Sequence, residues 1–345
     1  MSNTKLFSSV VLTLRFPLMI LVLLIHSLPT DSNGIGGDTF LYIGTLVKEL
    51  FTRVAVPAFF VFSGYYALKG HNLEQWGTYK AELKKKVRTL ILPYLLLLVG
   101  KTQLSLAFGG TPKDPFVFEW TRLHEYLWTD RLDYPLWFIR DLIVLTLISP
   151  LIHFALRISR GYIVALLFIA NIVFVDLTLI PTFSSRSLLF FSFGGLFALK
   201  GWDPIERLRP WLYPSLAVWI IGTFTLPLVY SWRYFYVLEL PYLTLSIVAW
   251  VLLFAFICTH YPRLTHMLQH LNQYVFFIYA VHAVLLINWA RGIVDRIPFF
   301  SSSIPGLCLA YLTIAMLALA MSMVLYRVLR RCTPRLLALF CGGRV

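Results

Sequence analysis

The sequence predicts an all-α polytopic membrane protein, a bundle of about ten transmembrane helices with both termini cytoplasmic. Three observations point there. Hydrophobic residues make up 59% of the 345 positions and charged residues 13%, about half the charged share of an ordinary soluble domain; mean hydropathy is +0.75. The apolar residues come in long blocks rather than helix- or strand-period stripes, as in segments buried on all sides. Lysine and arginine then crowd into alternate connecting loops, which orients such a chain.

Apolar runs of roughly 17 to 25 residues place the spans near 10–29, 49–68, 89–108, 135–156, 161–181, 186–200, 211–230, 239–259, 272–291 and 304–328. The first run lacks a small-residue cleavage site and is followed by more spans, so it reads as a retained helix rather than a signal peptide. Residues 38–50 are expected to lie as an interfacial helix before the second span, because one continuous helix there would be too long. The sixth span is short and carries "SFGG". The segment 109–134 mixes aromatics with charges of both signs and is expected to cap the bundle. No internal repeat and no appended soluble domain is visible, so residues 1–345 read as one integral-membrane unit.

Charge sets the orientation. The loop after span two carries Lys69, Lys80, Lys84, Lys85, Lys86 and Arg88, the loop after span four Arg157 and Arg160, and the tail Arg327, Arg330, Arg331 and Arg335. Between spans one and two, "PTDSNGIGGDT" has no cation. The net charge of +14 is thereby accounted for by topology, and no nucleic-acid partner is expected. Cys258, Cys308, Cys332 and Cys341 form no C-x-x-C pair, so neither a metal site nor a disulfide framework is expected.

Ionisable groups inside the spans suggest function or an interior cavity. In "LRFPLMILVLLIHS" (14–27), Arg15 and His26 lie eleven residues apart. That spacing returns to nearly the same helix face and rises roughly 16 Å. The predicted orientation puts Arg15 near the cytoplasmic face and His26 towards the outer one. Span four brings Arg140 and Asp141 to a similar depth. Arg140 suits a structural pair with Asp141 or another carboxylate, but adjacent side chains leave a helix about 100° apart, so it is expected to face away from Asp141 and hold a polar or anionic group beside His26. His282, mid-way along span nine, suits either a helix-bridging role or a catalytic one. Arg53 suits an interfacial anchor or the site. Trp137 suits an interfacial belt or sugar stacking. No G-x-S-x-G, H-E-x-x-H or Walker sequence occurs. An imidazole-led proton transfer is the remaining chemistry, since a free histidine titrates near 6.5.

Five segments in order then carry a resemblance. They are the R-x₁₀-H of Arg15 and His26, "FFVFSGYY" (59–66), "RTLILPYL" (88–95), "LWFIRDL" (136–142) and "FFIYAVH" (276–282). Together they resemble the membrane-bound acyltransferase 3 family, bacterial O-acyltransferases of surface glycans, in its stand-alone form. The resemblance implies the bacterial cytoplasmic membrane, acyl-CoA (commonly acetyl-CoA) as donor, and a glycan or lipid-linked sugar hydroxyl as acceptor. It places His26 as general base and Arg140 at the oxyanion or the sugar, with Arg15, Lys84, Lys85 and Arg88 on the donor's phosphates. Ser63 and Tyr65 are candidates for donor contact, with Gly64 beside them suited to close helix packing. Acylation of His26 itself and a separate extracellular transfer partner both stay open. The rival readings are a transporter or flippase of a polar or saccharide substrate, which would favour two similar halves with broken helices, and a structural subunit whose charges only specify packing.

Overall fold

The first predicted span folds as a single helix, α1 (Asn3–His26). Its carboxyl end is held by side chains rather than left frayed. Ser27 Oγ donates to Leu23 O at 2.7 Å, Tyr311 Oη to Leu24 O at 2.9 Å and Arg291 Nη2 to His26 O at 2.8 Å. These donors satisfy carbonyls that have no partner within the helix, and an arginine at this end also suits the helix dipole. His26 therefore sits on a clamped last turn. The computed structural model describes residues 3–30, 34–108, 110–111, 114–115, 120–122, 136–174, 183–230 and 235–343. Most of the predicted cap at 109–134 lies outside the described residues, apart from a two-residue antiparallel ladder, Gly110–Thr111 with Asp114–Pro115.

A helix occupies the place of every predicted span, but ten uninterrupted spans are not observed. Four described runs are long and apolar enough to cross a membrane: Lys5–His26, Pro204–Val229, Phe235–His260 and Ile304–Cys332. A fifth arises if α6 (Trp137–Leu147) and α7 (Ser149–Ile158), bent by 62°, count as one. Between α1 and α6 lie α2 (Gly37–Thr45), α3 (Ala55–Leu68), α4 (Trp76–Lys86) and α5 (Leu92–Phe108). After α7 come α8 (Tyr162–Val173), α9 (Ser185–Leu199), α10 (Pro204–Leu208), α11 (Leu212–Thr225) and α12 (Phe235–His260). The chain closes with α13 (Pro262–His270), α14 (Asn272–Val281), α15 (Ile287–Val294), α16 (Ile304–Cys332) and α17 (Pro334–Phe340).

The breaks have local causes. Pro150 has no N–H to give Thr146 O, and the Ser149 hydroxyl takes that carbonyl instead, at 2.8 Å, so the helix turns there. Span two is divided at Thr52–Val54. A π-turn (Leu46–Phe51) extends α2 on one side of the break, and on the other Pro57 cannot donate to Arg53 O. Thr52 Oγ1 donates to Val47 O and Lys48 O at 2.9 Å each. Span nine is interrupted by a second π-turn, His282–Leu286, between α14 and α15; such bulges are frequent at functional sites.

Beside a smaller cluster formed by residues of α5, α6 and α14, the main core is a continuous apolar cluster running through α1, α3, α9, α12, α14 and α16. Its tightest point is the crossing of α3 and α9. A Cβ on Gly64 would lie 1.9 Å from Phe191 O, and one on Gly194 1.9 Å from Val61 O. Gly64, which the sequence suggested for packing, sits where two backbones touch.

Candidate active site

Two adjoining cavities meet at His26. The first has a volume of about 240 Å³ and runs along α1 from Arg15 past Met19 and Val22 to His26. Ser63 and Phe59 of α3, Trp137 and Phe138 of α6, and Asn272 and Tyr279 of α14 complete its wall. The second, about 170 Å³, lies beyond His26 and is lined by Arg53, Trp137, Arg186, Glu239 and Leu243 among others. His26, Val22, Val56 and Trp137 belong to both walls. The face that the eleven-residue spacing predicts is therefore an observed one, and the imidazole is reachable from two sides.

Arg15 has no hydrogen bond and no carboxylate within ion-pairing distance among the described residues, although it lines the cavity. Asn272, on the same wall, donates to Leu12 O at 2.6 Å and ties α14 to α1. A guanidinium so placed has the geometry and charge to take up an anion brought from outside. The basic cluster expected to share that task stands apart. Lys84, Lys85 and Arg88 line a separate open concavity of about 610 Å³ with Thr89, Gly342 and Gly343. Leu90, two residues beyond Arg88, belongs to the Arg15 cavity, so the two features are neighbours along the chain.

The Arg140 expectation is corrected. Its long side chain folds back, and Nε and Nη2 reach Asp141 Oδ1 at 3.3 and 3.0 Å. Asp141 Oδ2 accepts from Ser184 N at 3.2 Å and Ser187 Oγ at 2.9 Å. Both residues are buried and neither lines the two cavities. Asp141 caps the start of α9 from another helix, a favourable place for a carboxylate. Replacing Asp141 with Ala removes the acceptor of all these donors at once. It is expected to cost about 3–5 kcal/mol, read as a lower thermal midpoint in detergent and poor yield.

Tyr65 also departs from the donor-contact reading. It is buried against Phe7, ring centroids 4.7 Å apart, and lines neither cavity at His26. Ser63, two residues earlier, does face the Arg15 cavity. Arg53 lines the second cavity and is held by Glu49 through Nε at 2.9 Å. His282 lies behind His26, ring centroids 5.4 Å apart, and is fully buried. Its Nδ1 faces two carbonyls, Tyr279 O at 2.7 Å and Ile278 O at 3.2 Å. Carbonyls only accept, so Nδ1 carries the proton.

Two charged residues of the second cavity escaped the reading of the sequence. Arg186 begins α9 and Glu239 is the one carboxylate of α12; Nη1 and Oε2 are 2.9 Å apart. The rule that intramembrane charge signals function would have found Glu239, which stands alone in an apolar helix.

The acyltransferase domain model matches residues 13–327, nearly the whole chain. The chain belongs to the membrane-bound acyltransferase 3 family. The match takes in Arg15, His26, Trp137, Arg186 and Glu239, so both cavities lie within the acyltransferase 3 domain. A curated relative is the succinoglycan biosynthesis protein ExoH of Rhizobium meliloti (strain 1021). It is 25% identical over 331 residues, covering 88% of this chain and 82% of the relative. No solved structure matches. Family membership makes this a multi-pass membrane enzyme that transfers acyl groups.

Proposed function

We propose that this enzyme moves an acyl group, acetyl in the simplest case, from acyl-CoA to a saccharide hydroxyl, with His26 as general base. The observation that carries the reading is Arg15, a cation with no carboxylate in ion-pairing distance among the described residues, on the same cavity wall as His26. Phosphate on the donor supplies the missing anion. The Lys84–Arg88 concavity offers a second basic surface for the nucleotide end, and the narrow apolar cavity suits the pantetheine arm.

The acceptor enters from the second cavity. His26 takes the proton of its hydroxyl as the oxygen attacks the thioester carbonyl. The C–S bond then breaks, and the CoA thiolate leaves with the proton returned from the imidazolium. The basic loops support cytoplasmic termini, and in this reading the donor is cytoplasmic, the acceptor is outside and the enzyme sits in the bacterial cytoplasmic membrane. A saccharide acceptor agrees with the name of the relative, which assigns that protein to succinoglycan biosynthesis.

The test is transfer of isotope from labelled acetyl-CoA, added outside, in inside-out vesicles with envelope glycan enclosed in their lumen. Label in the glycan supports the reading. No label from acetyl-CoA or from longer and dicarboxylic acyl-CoA donors, with folded enzyme, overturns it in favour of transport. Within that assay, Arg15→Ala is expected to raise the KM for acyl-CoA by about ten- to a hundredfold, with Arg15→Lys between it and wild type. An unchanged KM removes Arg15 from the donor site.

A further inference from the structure

The Arg186–Glu239 pair has no part in the proton transfer just described. Burying an ion pair costs several kcal/mol per ion before its attraction is counted, and apolar residues often fill such a place better. Glu239 is only 1% exposed, on a helix otherwise free of carboxylates. The pair also leaves capacity unused on both sides. Only Oε2 of Glu239 accepts from Arg186, and only Nη1 of Arg186 donates; Oε1, Nε and Nη2 have no hydrogen-bond partner among the described residues. The cavity beside His26 thus offers a strong acceptor and a strong donor fork next to each other.

We propose that this second cavity is the acceptor subsite for one sugar unit, and that Arg186 and Glu239 together read two neighbouring hydroxyls on it. The proposal rests on the acyltransferase reading and names the acceptor's chemistry. A hydroxyl both donates and accepts, so a vicinal diol satisfies the pair: one hydroxyl gives its proton to Oε1 while the guanidinium donates to the other. The paired charges cancel, which favours a neutral sugar over an anion that would meet Glu239. Beyond Arg53, which Glu49 neutralises, and Ser184 and Ser187, the wall is largely apolar, with Trp137, Phe60 and Leu243, and suits the C–H face of a sugar ring. At about 170 Å³ the space falls below the roughly 300–1,000 Å³ of sites that enclose a drug-sized ligand. One unit enters and the rest of a longer chain stays outside. The hydroxyl beyond the diol is then the one presented to His26, so the pair selects which position is acylated.

The experiment is equilibrium binding of tritiated methyl glucoside, methyl galactoside and methyl mannoside to the full chain in nanodiscs, with glucuronate as the anionic arm. Wild type is expected to bind at least one neutral glycoside. Glu239→Gln and Arg186→Lys are expected to weaken it by about ten- to a hundredfold. The double variant Arg186→Gln with Glu239→Gln removes both charges of the pair together and leaves neither unpaired, so it keeps its thermal midpoint and still loses the sugar. Three results overturn the proposal: no glycoside binding by folded wild type, wild-type affinity in a folded variant, or tighter binding of glucuronate than of all three neutral sugars. Labelled acyl-CoA transfer on the same preparations separates the two readings. Transfer with unaltered sugar binding in the variants sinks the subsite alone. Sugar binding lost in the variants, with no transfer from any acyl-CoA, sinks the acyltransferase reading and leaves the subsite.

Discussion

His26→Ala is expected to lower acyl transfer by about 10²–10⁴-fold, the usual contribution of a positioned general base, while leaving the fold in place. The side chain lines two cavities, and the clamps on the last turn of α1 engage the backbone carbonyls of Leu23, Leu24 and His26. Those bonds survive removal of the imidazole. The thermal midpoint should therefore change by little, equivalent to less than about 1 kcal/mol, and acyl-CoA binding should persist because Arg15 stands roughly 16 Å further along the helix. A collapse in stability with activity lost in proportion would make His26 a packing residue. Brief exposure of wild type to labelled donor without acceptor separates two chemistries. Label retained on the protein, absent in His26→Ala, indicates an acyl-imidazole; unlabelled wild type indicates direct attack by the hydroxyl.

What the sequence revealed and concealed divides along the range of the interactions. Arg15 and His26 share one helix, and eleven residues return within about 20° of three full turns, so their common wall was legible from spacing. The Arg140–Asp141 contact was not. The 100° rule describes where Cα–Cβ bonds point, and the flexible arginine side chain turns its guanidinium back onto its neighbour. The bend at Ile148 was written in Ser149 and Pro150. The π-turn at His282–Leu286 was not, since "HAVLL" contains neither glycine nor proline. The second cavity was hidden because its charged pair joins residues 53 positions apart, a proximity that only packing creates. Ten apolar blocks were visible, and their helices exist, but whether each runs unbroken depends on such local carbonyl bookkeeping.

Gly194→Ala is expected to disturb folding as strongly as any single methyl added to this chain, with Gly64→Ala its equal across the same crossing. The new carbon would sit 1.9 Å from Val61 O, 2.7 Å from Val61 C and 3.0 Å from Tyr65 N. These are backbone atoms of α3, so no rotamer change relieves the overlap, and the helices must move apart by more than an ångström. Overpacking a core commonly costs about 1–3 kcal/mol, and a clash between backbones lies at or above the top of that range. The same methyl at Gly292, inside α15 with nothing within 4 Å, has the opposite sign and should stabilise by up to about 1 kcal/mol. Composition does not distinguish these two glycines; the crossing does. Separation at Gly194 also has a chemical consequence. The α3 side of the crossing carries Phe59 and Ser63 on the Arg15 cavity, and α9 carries Arg186, Ser187 and Phe190 on the second. Any Gly194→Ala protein that still folds should hold its two cavities in altered register at His26. Its thermal midpoint and acyl transfer should then fall together, whereas Gly292→Ala should keep full transfer; equal midpoints for the two variants would show that α3 and α9 do not meet at Gly194.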